Sequence, residues 1–198
     1  MYIPTNALYA QNWELKRDKN GIKIHTAKTS SGINIFKAET SYEASIDALI
    51  NILKDTENAH NWFAQLSKLV LLEETSVYSW YTRSIVEMPW PMDNRDIVAN
   101  LSISKIENGY VINMKSHPNF MPAQEGYIRM KVADGFWKFE HGEKGETIVT
   151  YQFLSNPEGI PNWFVNLFLV ENPYSTLSSL REMLKQEKYK SAYLPYLH

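Results

Sequence analysis

The stretch NPEGIPNWFVNLFLVENPYSTLSSLREML, residues 156–184, predicts the element around which the fold is built. Pro161 suits the first turn of a helix, where its missing N–H leaves no hydrogen bond unmade. From there residues recur at alternating steps of four and three, which places them on one stripe of a helix. The stripe consists of Trp163, Leu167, Val170, Tyr174, Leu177, Arg181 and Leu184, widened by Phe164, Phe168, Leu169, Leu180 and Met183. Pro173 should kink or loosen this helix in its middle. So broad an apolar surface requires a large covering element.

The chain upstream of this helix reads mainly as strands, so the covering element is a sheet. Ile22, Ile24 and Thr26 alternate with polar residues after the turn signal DKNG at 18–21, which predicts a strand. The turn signal SSG at 30–32 then leads into a second strand of a hairpin. The period changes at 42–54, where helical spacing predicts a helix with Ser41 as its N-cap, and a second short helix follows at 55–65.

From residue 66 onward the sequence predicts consecutive strands joined by turns. The strands lie at 66–75, 76–88, 95–107, 110–117, 126–135, 136–142 and 146–156. Short turns between consecutive strands favour an antiparallel meander. The predicted fold class is therefore α+β: one curved antiparallel sheet wrapped around a long C-terminal helix, with a hydrophobic cavity that the helix does not fill.

Composition excludes several functional classes. The 198 residues include 20 basic and 22 acidic side chains, a net charge of -2, which argues against a nucleic-acid partner. The absence of cysteine excludes thiol catalysis, thiolate metal sites and disulfides. No apolar run reaches the length of a membrane span. Residues 8–10 resemble the end of a signal-peptide cleavage site, although a disordered N-terminus is the other interpretation. We expect a cytoplasmic protein by default, and an exported protein if a leader precedes these residues.

Four motifs in order resemble one known family. They are WELK to GIKI at 13–24, PWPMDNRD at 89–96, MPAQEGYIR at 121–129, and the segment from TIVTYQF to NWFVN at 147–166. Together they resemble the START (steroidogenic-acute-regulatory-related lipid transfer) domain family, and in motif they look most like phosphatidylcholine-transfer and bacterial START-like members. The resemblance covers nearly the whole chain and predicts one lipid-binding domain at 13–190, an N-terminal extension at 1–12 and a C-terminal tail at 191–198.

The resemblance implies a helix-grip fold, a buried lipid cavity, no catalytic residues and no cofactor. It also implies a lid made by the final helix with the loop at 116–126. Position 101, where some sterol-binding members carry a buried arginine, is leucine here. This departure disfavours a cholesterol-type ligand anchored on that charge.

Strand alternation and helix periodicity supply the candidate ligand-binding residues, although for each of them ordinary core packing is the alternative. They are Arg83, Leu101, Ile103, Met114, Ile128, Met130, Trp163, Leu167, Val170 and Tyr174. If Arg83 points inward, it needs a carboxylate such as Glu87 or a ligand phosphate; if it points outward, it is a solvated strand residue. Phe120 and Met121, on the long loop at 116–126, are candidates for lid and membrane contact.

Three functions follow as hypotheses. The first is binding, and transfer between membranes, of one phospholipid, fatty acid or sterol-like molecule, with only transient membrane contact. The second is an enzyme resembling polyketide cyclases, with His117, Arg83 or Tyr81 as its polar groups. The third is a lipid-sensing module. The histidines at 25, 60, 117, 141 and 198 show no metal-ligand spacing, no nucleotide-binding or hydrolase motif occurs, and the oligomeric state stays open.

Overall fold

Ten strands and three α-helices form the part of the chain that the structure describes. The structure is a computed structural model that describes residues 12–29, 34–156, 159–160 and 162–198, without the side chains of residues 162–164 and 167. The strands are β1 (Glu14–Lys19), β2 (Ile22–Lys28), β3 (Asn34–Tyr42), β4 (Leu66–Ser76), β5 (Ser79–Val86), β6 (Asn94–Ile106), β7 (Gly109–Ser116), β8 (Tyr127–Arg129), β9 (Val132–His141) and β10 (Thr147–Asn156). The helices are α1 (Ile46–Lys54), α2 (Asn162–Met183) and α3 (Glu187–Lys190).

One sheet contains all ten strands, in the order β1-β2-β3-β10-β9-β7-β6-β5-β4. Neighbours in this order pair antiparallel, and β8 lies beside β6 as a short parallel strand. The predicted α+β helix-grip fold is confirmed, including the curved antiparallel sheet and the long final helix. The candidate end of a cleavage site at residues 8–10 and the predicted turn at 30–32 lie outside the described residues.

Side-chain alternation divides the sheet into a concave face toward α2 and a convex face away from it. Trp80, Thr82, Ser84 and Val86 project from β5 to the concave side, and their odd-numbered neighbours project to the other. Rows of concave residues cross the sheet from strand to strand. One row contains Tyr151, Trp137, Ile112 and Ile103.

Helix α2 lies on the concave face and contributes a buried stripe. Leu169, Leu177, Leu180 and Met183 are buried, as is Pro173 inside the helix. The Tyr42 hydroxyl donates to the Leu177 carbonyl at 2.6 Å, which joins the helix to the end of β3. Within the described residues, no helix is long and apolar enough to cross a membrane.

Three predicted element boundaries were wrong. Helix α1 begins at Ile46, because β3 continues to Tyr42 and the N-cap is Ser45, whose hydroxyl accepts from the Ala48 N–H at 3.1 Å. The second helix predicted at 55–65 is only a single 3-10 turn, Ala59–Asn61. The turn predicted between the strands at 126–135 and 136–142 is instead the interior of β9. A Cβ on Gly135 there would lie 2.3 Å from the Gln152 carbonyl oxygen, so glycine lets the two strands approach.

Residues 187–198, which include the predicted tail, pack against α1 and the neighbouring sheet. Leu197 is buried, and the Tyr110 hydroxyl donates to its carbonyl. The Asp47 carboxylate on α1 accepts from the Leu194 N–H at 2.7 Å and lies 3.0 Å from the His198 ring. This segment thereby closes one end of the concave face.

Candidate ligand cavity

An apolar cavity of about 200 Å³ lies between the concave face, helix α2 and the segment 59–66. Its walls are mainly aliphatic, aromatic and methionine side chains from β5, β6, β7, β9, β10 and α2. Among the described lining residues, Arg95 is the only charged side chain, and none is His, Asp, Glu, Lys or Cys. Such a lining suits a hydrophobic molecule that carries few polar groups.

Aromatic rings close the inner end of the cavity. The Trp137 and Tyr151 rings stack with centroids 3.9 Å apart, and the Trp62 ring meets Trp137 edge-on at 6.1 Å. Phe63 adds an edge contact with Tyr151 at 6.2 Å. Trp62, Trp137 and Tyr151 are each at most 5% exposed. Burial raises the pKa of the Tyr151 hydroxyl, so this group remains a neutral donor at physiological pH.

The other end of the cavity is more open. Val86, Met88, Ile160 and Val165 line it and are only partly buried. Arg95 stands there too, eight residues along β6 from Ile103, which corresponds to roughly 27 Å of extended strand. The Arg95 guanidinium is buried and donates to the Asp93 carbonyl. Burial lowers its pKa from the usual arginine value, and the Asp93 charge opposes this effect.

Two hydrogen bonds fasten α2 over the cavity. The Thr176 hydroxyl accepts from the Ala64 N–H at 3.1 Å. The Asn172 side-chain amide donates to the Gln65 side-chain carbonyl at 2.8 Å. Ala64, Gln65, Asn172 and Thr176 all line the cavity, so movement of α2 away from segment 59–66 would break both bonds and open the wall.

The structure brings three of the predicted ligand-binding residues to the cavity wall: Leu101, Met114 and Met130. Ile103 lies beyond the cavity in the solid core, and Ile128 is a half-buried residue of β8 outside the lining. The side chains of Trp163 and Leu167 lie outside the described part of the structure.

Val170 and Tyr174 lie on the side of α2 that faces the outer strands and do not line this cavity. The Tyr174 hydroxyl accepts from the Asn20 side-chain amide at 2.9 Å, and the Arg17 guanidinium lies 4.8 Å from the Tyr174 ring centroid. Val170 lines a shallower groove beside β1 and β2. The predicted stripe was therefore displaced by part of a turn from the face that borders the cavity, which includes Phe168, Leu169, Asn172, Pro173 and Thr176.

Arg83 does not line the cavity and has the outward one of its two predicted orientations. Its neighbours Thr82 and Ser84 line the cavity, so alternation directs Arg83 to the convex face. There its Nε donates to the Asp96 carboxylate at 2.9 Å, and Arg129 donates to both oxygens of the same carboxylate at 2.9 Å. Asp96 is fully buried, and this partner replaces the predicted Glu87 or ligand phosphate.

The loop at 116–126 also lies on the convex face and does not cover the cavity. Phe120 stacks on Tyr81 with ring centroids 4.2 Å apart. The Arg129 guanidinium donates to the carbonyls of Pro118 and Met121, at 2.6 and 3.0 Å. The loop therefore does not form part of a lid over this cavity, and the lid role that the resemblance implied for α2 stays a prediction. Whether Phe120 and Met121 contact a membrane stays a prediction.

Sequence reasoning missed the aromatic inner end. Tyr151 was detectable, because alternation along β10 places Tyr151, Phe153 and Ser155 on one face. Trp62 lies in the segment 55–65, where the predicted helix does not form. Arg95 belongs to the motif at 89–96, and no local signal indicates that its side chain reaches the cavity.

The groups named for the enzyme hypothesis do not meet in the cavity. Tyr81 and His117 contact each other on the convex face, with ring centroids 5.5 Å apart, and Arg83 lies on the same side. No cluster of three or more potential metal ligands occurs among the described residues.

Comparison with known proteins shows which proteins this chain resembles in sequence and in structure. No protein-family model matches it. The chain is 32% identical over 182 residues to the uncharacterized protein PA1579 of Pseudomonas aeruginosa, across 90% of this chain and 89% of that protein. The crystal structure of a STAR-related lipid transfer protein from Xanthomonas axonopodis superposes with a TM-score of 0.82 at 27% identity, covering 89% of this chain and 100% of the other. The ZhuI aromatase/cyclase from Streptomyces sp. R1128 shares the fold, with a TM-score of 0.56 at 11% identity over 78% of this chain and 96% of that one.

The helix-grip sheet, the apolar cavity and these matches define a START-like protein. The chain belongs to one family with the Pseudomonas aeruginosa protein, and its similarity to the Xanthomonas axonopodis structure identifies it as START-like. The family and the cavity together support binding of a lipid or another hydrophobic ligand.

Proposed function

We propose that this protein holds one hydrophobic molecule in the cavity beneath α2 and passes it between membranes, without catalysing a reaction on it. The observation that carries the proposal is the apolar cavity itself. Burial of apolar ligand surface supplies about 25 cal/mol per Å², so a lipid chain enclosed there gains affinity without any charged contact. The Xanthomonas axonopodis relative is named a lipid transfer protein, which agrees with this function.

The cavity lining supports a non-enzymatic role. General acid or base catalysis uses a titratable group within hydrogen-bond reach of the substrate. Among the described lining residues only Arg95 and Tyr151 titrate. Burial holds the Tyr151 hydroxyl protonated, and an arginine guanidinium stays charged at physiological pH.

Filling the cavity tests the binding function. Leu101→Trp places a large ring in the cavity, and Leu15→Trp adds the same ring at a position that is 53% exposed. We expect Leu101→Trp to weaken binding of the neutral fluorophore N-phenylnaphthylamine by about tenfold or more, because ligand and indole compete for one space. Leu15→Trp should bind as the wild type does. Equal affinity of the wild type and both variants would contradict the proposed site.

Transfer requires contact with a membrane at the open end, and Trp90 is placed for it. Its side chain is 93% exposed, on the loop between β5 and β6 whose Met88 lines the cavity. Tryptophan is enriched at membrane–water interfaces. Phe120 is 38% exposed and stacked on Tyr81 on the opposite side of the sheet.

Vesicle-to-vesicle transfer of a fluorescent single-chain lipid compares these surfaces. Trp90→Asp should slow transfer. Tyr193 is 65% exposed on another part of the surface, so Tyr193→Asp should leave the transfer rate unchanged. The double variant Phe120→Asp with Met121→Asp tests the surface predicted from sequence. If Trp90→Asp transfers lipid at the wild-type rate, the proposed membrane contact is wrong.

A further inference from the structure

The inner end of the cavity contains a buried hydrogen-bond donor without a partner. The Trp62 indole N–H is fully enclosed and has no hydrogen-bond partner. Four other buried polar side-chain atoms in the described structure share this condition, and they belong to residues outside the cavity lining. A buried donor without a partner is costly, and most such groups in native proteins are paired with protein, water or ligand.

A second donor lies beside the first. The Tyr151 side chain also lines the cavity and is only 3% exposed, and burial raises the pKa of its hydroxyl. Trp137 connects the two, because its ring stacks on Tyr151 and meets Trp62 edge-on. The indole of Trp62 donates only, and the hydroxyl of Tyr151 donates readily, so both groups require an acceptor.

None of the described lining residues at this end carries a charge. The described lining residue that carries a charge, Arg95, stands at the open end, roughly 27 Å along the strand direction from the row that contains Trp137 and Tyr151. A carboxylate or phosphate at the inner end would be buried without a cation, which is strongly unfavourable. A neutral oxygen, in contrast, satisfies a donor without bringing a charge into the apolar interior.

We propose that the inner end of the cavity is a recognition site for a neutral oxygen acceptor on an otherwise apolar chain, with Trp62 and Tyr151 as its donors. The ligand class is a long-chain ketone, ester, ether or alcohol that enters with its oxygen leading. This inference rests on the proposed ligand-binding function and adds orientation and specificity to it. The cavity volume of about 200 Å³ fits a single chain better than two.

Three probes with chains of similar length separate the contributions. They are dodecane, which has no acceptor, decyl methyl ketone, which has one neutral acceptor, and dodecanoate at mildly alkaline pH, which is charged. Each competes with N-phenylnaphthylamine, and its dissociation constant is measured for the wild type, Tyr151→Phe and Trp62→Phe. Phe153→Leu, a change at a lining residue without a polar atom, serves as the shape control.

The wild type should bind the ketone more tightly than dodecane or dodecanoate. A neutral hydrogen bond contributes roughly fivefold in affinity, so each donor variant should lose about fivefold for the ketone and less than twofold for dodecane. Phe153→Leu should change the affinity for ketone and dodecane in the same proportion.

Two results overturn the inference while preserving the proposed function: equal affinity of the wild type for ketone and dodecane, or ketone binding that neither donor variant weakens. If the wild type binds none of the three probes and no fluorophore, the proposed function fails and this inference fails with it. Tyr151→Phe removes a single oxygen from a ring that stays stacked, so loss of the fold is not expected to obscure the comparison.

Discussion

Replacing Asp96 by asparagine should destabilise this protein more than any change at a surface ion pair. Asp96 is fully buried and accepts hydrogen bonds from Arg83 and Arg129, whose side chains are 12% and 9% exposed. An asparagine side chain at this position would keep the shape and remove the charge, which leaves two buried cations without their shared anion. Removal of one partner from a buried ion pair costs about 3–5 kcal/mol of unfolding free energy.

That loss is large enough to measure without ambiguity. For a domain of this size each kcal/mol lowers the midpoint of thermal unfolding by about 2–4 °C, so Asp96→Asn should lower it by about 6–20 °C. The matched control is Glu171→Gln, which discharges the Arg17–Glu171 pair at a carboxylate that is 62% exposed. A surface pair of this kind contributes at most about 1 kcal/mol.

Asp96→Asn should also loosen the loop at 116–126. Arg129 donates to Pro118 and Met121 while Asp96 fixes its guanidinium. Asp96→Asn should therefore increase the rate of proteolytic cleavage within this loop, and Glu171→Gln should not. A loss of unfolding free energy below about 1 kcal/mol for Asp96→Asn, together with unchanged proteolysis, would refute the role assigned to this carboxylate.

Two further predictions concern a close backbone approach and an acidic residue. A Cβ on Gly109, which has φ +151, would lie 2.0 Å from the Phe139 carbonyl oxygen. Gly109→Ala should therefore lower the unfolding free energy, measured by denaturant unfolding, by several kcal/mol. The control is Gly21→Ala, where nothing lies within 4 Å and a loss of roughly 1 kcal/mol is expected. Burial by itself raises the pKa of the Asp55 carboxyl, but hydrogen bonds led by that from Lys188 lower it well below its usual value. This stabilisation is present above the unfolded-state pKa of about 3.9 and is lost as the pH falls through the folded-state pKa. Asp55→Asn should therefore flatten the acid limb of a curve of unfolding free energy against pH. An unchanged acid limb would show that Asp55 does not contribute.

Long-range periodicity made the fold predictable. The helix that became α2 was recognisable because its apolar spacing persists for about six turns, and strand alternation with turn residues located most of the sheet. The centre of the buried stripe was not determined, because apolar residues nearly surround the helix. Packing against β1 and β2 placed Tyr174 toward Asn20 and left Asn172 and Thr176 toward the cavity.

Strand composition explains why the sequence left the orientation of Arg83 open. The inward face of β5 contains Thr82 and Ser84, and the outward face contains Tyr81 and Ile85. Hydrophobicity therefore does not distinguish them. The decisive fact is the carboxylate of Asp96 on the neighbouring strand, and a contact of this kind follows from strand pairing and not from local pattern.

The inner end of the cavity shows a similar limit. Trp62, Trp137 and Tyr151 come from distant parts of the chain, and each reads as ordinary core in its own segment. Only the tertiary structure reveals that they meet and that the Trp62 indole N–H lacks a partner.

The central claim is that one hydrophobic molecule occupies the cavity, and native mass spectrometry of the protein purified from cells tests it most directly. The wild-type protein should carry one molecule per chain, identifiable after organic extraction, and Leu101→Trp should carry none. A wild-type mass equal to that of the bare chain, with no uptake of N-phenylnaphthylamine or of the ketone on incubation, would contradict the account.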